Sequence, residues 1–116
     1  MKKLDKFELR RLAKEYARLL KIIEILEEFK YSMGGDSFTP LINELFFGGV
    51  YYMSSLFNRI GDSYEENKEI RNLFLKYYSM EENKKEFKDF ETFNKYFESL
   101  LKDFEIIKRF VEMGEI

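Results

Sequence analysis

The stretch PLINELFFGGVYYMSSLFNRI, residues 40–60, is the most apolar part of the chain, and its reading decides the fold. On a helix, Ile42, Phe46, Gly49, Met53, Leu56 and Ile60 recur at spacings of four, three, four, three and four, with Gly49 at the middle of the stripe. Phe47, Val50, Ser54 and Phe57 form a second stripe beside it. Only Glu44, Gly48, Tyr51, Ser55 and Asn58 remain as a narrow polar strip. A helix apolar around most of its circumference must be covered on most sides. The segment is therefore expected to be the central helix of the monomer, or partly an interface with a second chain.

Two adjacent glycines inside such a helix each cost about 1 kcal/mol relative to alanine, so a compensating gain is expected. Gly49 would let another helix press against the backbone. Gly48, on the polar strip beside Ser55, would leave a notch for a partner. A competing reading is a kink at Gly48-Gly49 that opens a pocket under Phe46, Phe47, Tyr51 and Tyr52. These readings make Gly48, Tyr51, Tyr52 and Ser55 the candidate protein interface.

Working outward, Leu9, Leu12, Tyr16, Leu19, Ile23 and Leu26 repeat at three and four residues, and Leu20, Ile22, Ile25 and Phe29 widen that stripe. This predicts a first helix from about Asp5 to Tyr31, stopped by Gly34 and Gly35. GGDSFT, residues 34–39, reads as a loop, with Thr39 as N-cap and Pro40 at the first position of helix two. Gly61 is expected to close that helix near Ile60.

Ser63-Tyr-Glu-Glu-Asn-Lys and, sixteen residues on, Ser79-Met-Glu-Glu-Asn-Lys both carry serine followed three residues later by glutamate. That is the capping-box arrangement, so two helix starts are expected, with helix three over about Tyr64–Tyr78. The last segment carries Phe87, Phe90, Phe93, Phe97, Leu100, Leu101, Phe104, Ile107 and Val111 before Gly114. It reads either as one helix from Met80 or as two pieces broken near Asp89, which would cap the second. Strand signals are nearly absent. The fold expected is all-α: a single domain over residues 1–116, a compact antiparallel bundle of four helices, or five if the last segment breaks.

Composition bounds the function. The 116 residues include no histidine and no cysteine, which removes the commonest nucleophile–base pairs, thiolate chemistry and the usual zinc and haem ligands. No phosphate-binding glycine loop is present. Helical-bundle nucleases of the HEPN type are similar in size and helix content, but their Arg-x4-6-His motif is missing here. Carboxylates for a di-metal bundle exist at Glu24, Glu27, Glu28, Glu44, Glu98 and Glu105. They lack the Glu-x-x-His partner of such sites, and most fall on polar faces. No enzymatic activity, metal or cofactor is expected.

A net charge of −2 argues against a general polyanion binder. Locally, Lys6, Arg10, Arg11, Lys14 and Arg18 make the start of helix one the most basic region, weakened by interleaved Asp5, Glu8 and Glu15. It reads as a solvated face more readily than as a contact for nucleic acid or an acidic partner. MKKLDKFELRR lacks the apolar core of a secretory signal and no run is long enough to span a bilayer, so a cytoplasmic setting without membrane contact is expected. The leading expectation is a non-catalytic protein–protein interaction module: an inhibitor, viral or host-defence, or an adaptor, with self-association through helix two as one mode. Alternatives are a nucleic-acid-associated protein using the basic end of helix one, and a small-ligand-binding bundle.

Overall fold

The computed structural model describes residues 5–33, 40–63 and 68–112, with the side chains of residues 32, 33, 62 and 63 left aside. Those residues form four helices: α1 (Lys6–Met33), α2 (Pro40–Ser63), α3 (Lys68–Asn83) and α4 (Phe90–Glu112). The expected loop at 34–39, the Thr39 cap, the start of helix three near Tyr64 and the stop at Gly114 lie outside the described residues.

Two helix starts show their chemistry directly. Asp5 Oδ1 accepts the Glu8 backbone N–H at 2.8 Å, and Asp89 Oδ1 accepts that of Thr92 at 2.8 Å. Each carboxylate satisfies a donor that the first turn leaves without a helical partner. The Thr92 amide and hydroxyl hold the Asp89 carboxyl below its ordinary range, outweighing a small opposing effect of desolvation.

α2 is the central element. Its full stripe of Ile42, Phe46, Met53, Leu56 and Ile60 is buried, together with Val50 and Phe57. It meets α4 where the Phe46 and Phe93 rings lie 5.8 Å apart, and α3 where Phe57 stacks on Tyr77 at 6.0 Å. α1 covers the glycines: a Cβ on Gly48 would lie 3.5 Å from Ile22 Cδ1, and one on Gly49 would lie 3.5 Å from Ile22 Cγ2. α1 in turn reaches α4 through Tyr16, stacked on Phe104 at 5.7 Å, and through Phe29 against Phe93 at 6.3 Å. Burial, with the charges of Glu112 and Glu105, raises the Tyr16 phenol above its usual value.

Several expectations are corrected. Helix two runs unbroken past Gly61 to Ser63. Glycine ends a helix only where the backbone turns left-handed; here Gly61 stays helical, and Ile70 of α3 lies 3.8 Å from where its Cβ would be. Ser79 starts no helix, because α3 continues through it to Asn83. The Asn83 amide donates to Ser79 O at 3.0 Å, and the Lys84 N–H donates to Met80 O at 3.0 Å to close the last turn. Serine marks a start only where the preceding backbone is not already helical. The last segment does break at Asp89, but residues 84–88 before it are non-helical rather than a short fifth helix. Leu9 and Ile25, placed on the core stripe by spacing, are exposed. The covered arc of α1 is narrower than its apolar arc.

Candidate protein-interaction surface

Residues 84–89 link α3 to α4 and cross the side of α2, held there by Asn43. This buried side chain donates through Nδ2 to Phe87 O at 3.1 Å and accepts the Phe87 N–H at Oδ1 at 2.9 Å. One amide thus satisfies both backbone polar groups of Phe87, as a neighbouring strand would. Buried backbone groups need such partners. With its backbone neutralised, Phe87 inserts its ring beside Phe46 at 5.0 Å and stacks on Phe47 at 5.8 Å.

Two grooves meet at Phe47, which lines both. One groove, of about 440 Å³, has Phe47, Gly48, Tyr51 and Tyr52 as its apolar floor. Glu44, Glu81 and Glu86 rim it, with Lys84 the only base among its lining residues, so the rim is acidic. The Tyr51 and Tyr52 rings meet edge-on at 5.2 Å, and Tyr51 is 50% exposed. The other groove, also about 440 Å³, lies between Met80, Phe87 and Tyr96, with Lys85 and Lys88 among its lining residues.

Three of the four interface residues expected from sequence therefore share one groove: Gly48, Tyr51 and Tyr52. Ser55 does not. Its Oγ donates to Glu15 Oε2 at 2.6 Å. Arg59 holds the same carboxylate, Nη2 donating to Oε1 at 3.1 Å and Nε to Oε2 at 3.4 Å. Ser55 is thus a strut between α1 and α2. The notch expected at Gly48 is bounded on one side by Ile22 of the same chain, and the helix is continuous through both glycines. Of the basic residues, Lys6, Arg10, Arg11, Lys14 and Arg18 are all exposed.

Sequence reasoning missed Asn43 and the acidic rim. A lone asparagine between Ile42 and Leu45 was a usable signal, since an amide there must find partners. Glu81, Lys84 and Glu86 carried none, because Glu81 reaches the groove through the packing of α3 on α2, and Lys84 and Glu86 through the path of the 84–89 segment.

A second polar network ties α3 to α4. Tyr77 Oη donates to Asp103 Oδ2 at 2.5 Å, while Lys76 Nζ donates to the same oxygen at 2.7 Å and to Ser99 Oγ at 2.9 Å. Burial, then the hydrogen bond to Asp103 and that carboxylate's charge, push the Tyr77 phenol far above the usual tyrosine range. Among the described residues no three carboxylates converge to hold a metal ion, and no helix is long and apolar enough to cross a membrane.

No protein-family model matches the chain, and no curated protein or solved structure matches it.

Proposed function

We propose that the protein is a non-catalytic interaction module, an inhibitor or adaptor that docks on a larger protein through the groove lined by Phe47, Gly48, Tyr51 and Tyr52. The observation that carries this reading is the convergence of Phe47, Gly48, Tyr51 and Tyr52 on one aromatic floor inside an acidic rim. Tyrosine supplies large contact area at low entropic cost, and such rings serve as anchors at protein interfaces. The bundle behind the groove is rigid and antiparallel in this reading. In support, Glu15 meets Arg59, and further along α1 Ile22 lies over Gly48, so partners on α2 fall in number as those on α1 rise. The partner presents an apolar anchor flanked by basic groups, which the rim of Glu44, Glu81 and Glu86 favours.

The test is capture of the partner from the source cell's extract with the wild-type chain and with Tyr51→Glu as baits, alongside light scattering across concentration. A protein retained by the wild type and lost by Tyr51→Glu supports the reading. Dimer mass abolished by Tyr51→Glu would instead make a second copy the occupant of the groove. Equal capture by both baits, or a monomer that retains nothing, would refute it.

A further inference from the structure

Glu15 was the acid at the centre of the basic stretch of α1, and the structure removes it from the surface. It is 8% exposed, with both carboxylate oxygens engaged by Ser55 and Arg59. Asp5, at the end of the stretch, spends one oxygen capping the Glu8 N–H. What stays outside is Lys6, Arg10, Arg11, Lys14, Arg18 and Lys21, all exposed. Among the described residues none of the six has an ion-pair partner. Lys6, Arg10, Lys14 and Arg18 stand four residues apart, so each is about 6 Å along the helix from the last, and the row to Lys21 extends about 22 Å. Phe7, one turn before Arg10 and Arg11, is 80% exposed.

We propose that this row is a binding surface for the phosphate backbone of a nucleic acid. A continuous line of evenly spaced cations matches a continuous line of phosphates better than the scattered carboxylates of an acidic protein. Half the row is arginine, whose planar fork suits phosphate oxygens. Phe7 offers a ring on which a base can stack, a contact that an acidic protein would not use. The net charge of −2 does not oppose this, because within the stretch Glu15 is buried and paired and Asp5 caps the helix, which leaves half-buried Glu8 against six exposed cations. This surface is separate from the groove and does not depend on it.

The test is fluorescence anisotropy with a labelled 24-nucleotide single strand and the corresponding 24-base-pair duplex, for the wild-type chain, for Arg11→Gln/Lys14→Gln/Arg18→Gln, and for Lys85→Gln/Lys88→Gln/Lys95→Gln as a charge-matched control on the α3–α4 segment and α4. Binding of either probe at 50 mM salt is expected, weakening about 10²–10³-fold by 200 mM if four to six phosphates are neutralised. The triple variant should lose about tenfold or more at 50 mM and flatten the salt dependence by about two to three in slope. The control should lose less than half as much, and all three chains should melt at similar temperatures. No binding of either probe at 50 mM salt would overturn the proposal, as would equal losses in the triple variant and the control. Equally tight binding of a polyglutamate peptide would overturn it in favour of an acidic protein surface.

Discussion

Glu15 of α1 and Arg59 of α2 form a two-point ion pair, 3.1 Å from Nη2 to Oε1 and 3.4 Å from Nε to Oε2, and Ser55 adds a hydrogen bond at 2.6 Å. The Glu15 side chain is nearly buried and that of Arg59 one-fifth exposed. Removing one partner of such a pair strands the other, at a cost of about 3–5 kcal/mol when burial is complete. Arg59 retains some access to water. Glu15→Ala is therefore expected to destabilise by about 2–3 kcal/mol, and Ser55→Ala by about 1 kcal/mol. Replacing both charges, as Glu15→Met/Arg59→Met, should recover most of the loss. Urea unfolding of the single and double variants measures all three.

The two glycines yield a less intuitive prediction. A methyl at Gly48 or Gly49 would meet its nearest neighbour at 3.5 Å, an ordinary contact. Neither position sterically requires glycine at the size of alanine. Gly48→Ala and Gly49→Ala should therefore stabilise by about 0.5–1 kcal/mol each through helix propensity and a less flexible unfolded chain. Gly49→Leu should destabilise by about 1–3 kcal/mol, because Leu19, Ile22 and Leu100 close over the site. Thermal melting separates the two outcomes.

The Asn43 clamp ties Phe87 of the otherwise exposed 84–89 segment into the core. Asn43→Leu leaves the Phe87 N–H and C=O without partners, which should cost about 2–4 kcal/mol and speed amide exchange at Phe87. Next to it, Lys84 adopts a φ of 24°, strained for a residue with a Cβ. Lys84→Gly should relieve that and stabilise by about 0.5–1 kcal/mol. Exchange at Phe87 that is unchanged in Asn43→Leu would show that the clamp does not hold the segment.

Tyr77 gives the pH dependence. Its phenol is held neutral in the folded chain, far above the value of about 10 that it would have unfolded. The stability it contributes is fully present below pH about 10 and is lost as pH rises beyond that toward its folded value. Titrating tyrosinate absorbance should show Tyr77, one of eight tyrosines, ionising only as the chain unfolds. Tyr77→Phe should cost about 1.5–2 kcal/mol at neutral pH and make the alkaline limb shallower.

The architecture was readable from periodicity because burial selects side chains at helical spacing. The stripe from Ile42 to Ile60 is buried as the pattern implies, and so are Phe93, Phe97, Leu100, Phe104 and Ile107 of α4. Helix ends were less legible, since Ser79 and Gly61 mean different things inside a helix and at its edge. The groove was half legible. Gly48 and Tyr51 stood out on the polar strip of α2, with Tyr52 beside them, but the rim also takes Glu81 from α3 and Glu86 from a segment whose path depends on one asparagine 44 residues from Phe87. Ser55 lies outside that groove and bonds Glu15, which looked from the sequence like a surface acid.

The central claim is that the Tyr51 groove is where another protein sits. Its most direct measurement is site-specific photo-crosslinking in the source cell's extract, with the photoreactive residue at Tyr51 and, as control, at exposed Lys102 on α4. The account predicts a discrete covalent adduct with a second protein from position 51 and none from position 102. Adducts of the same protein in equal yield from both positions, or none from either, would contradict it.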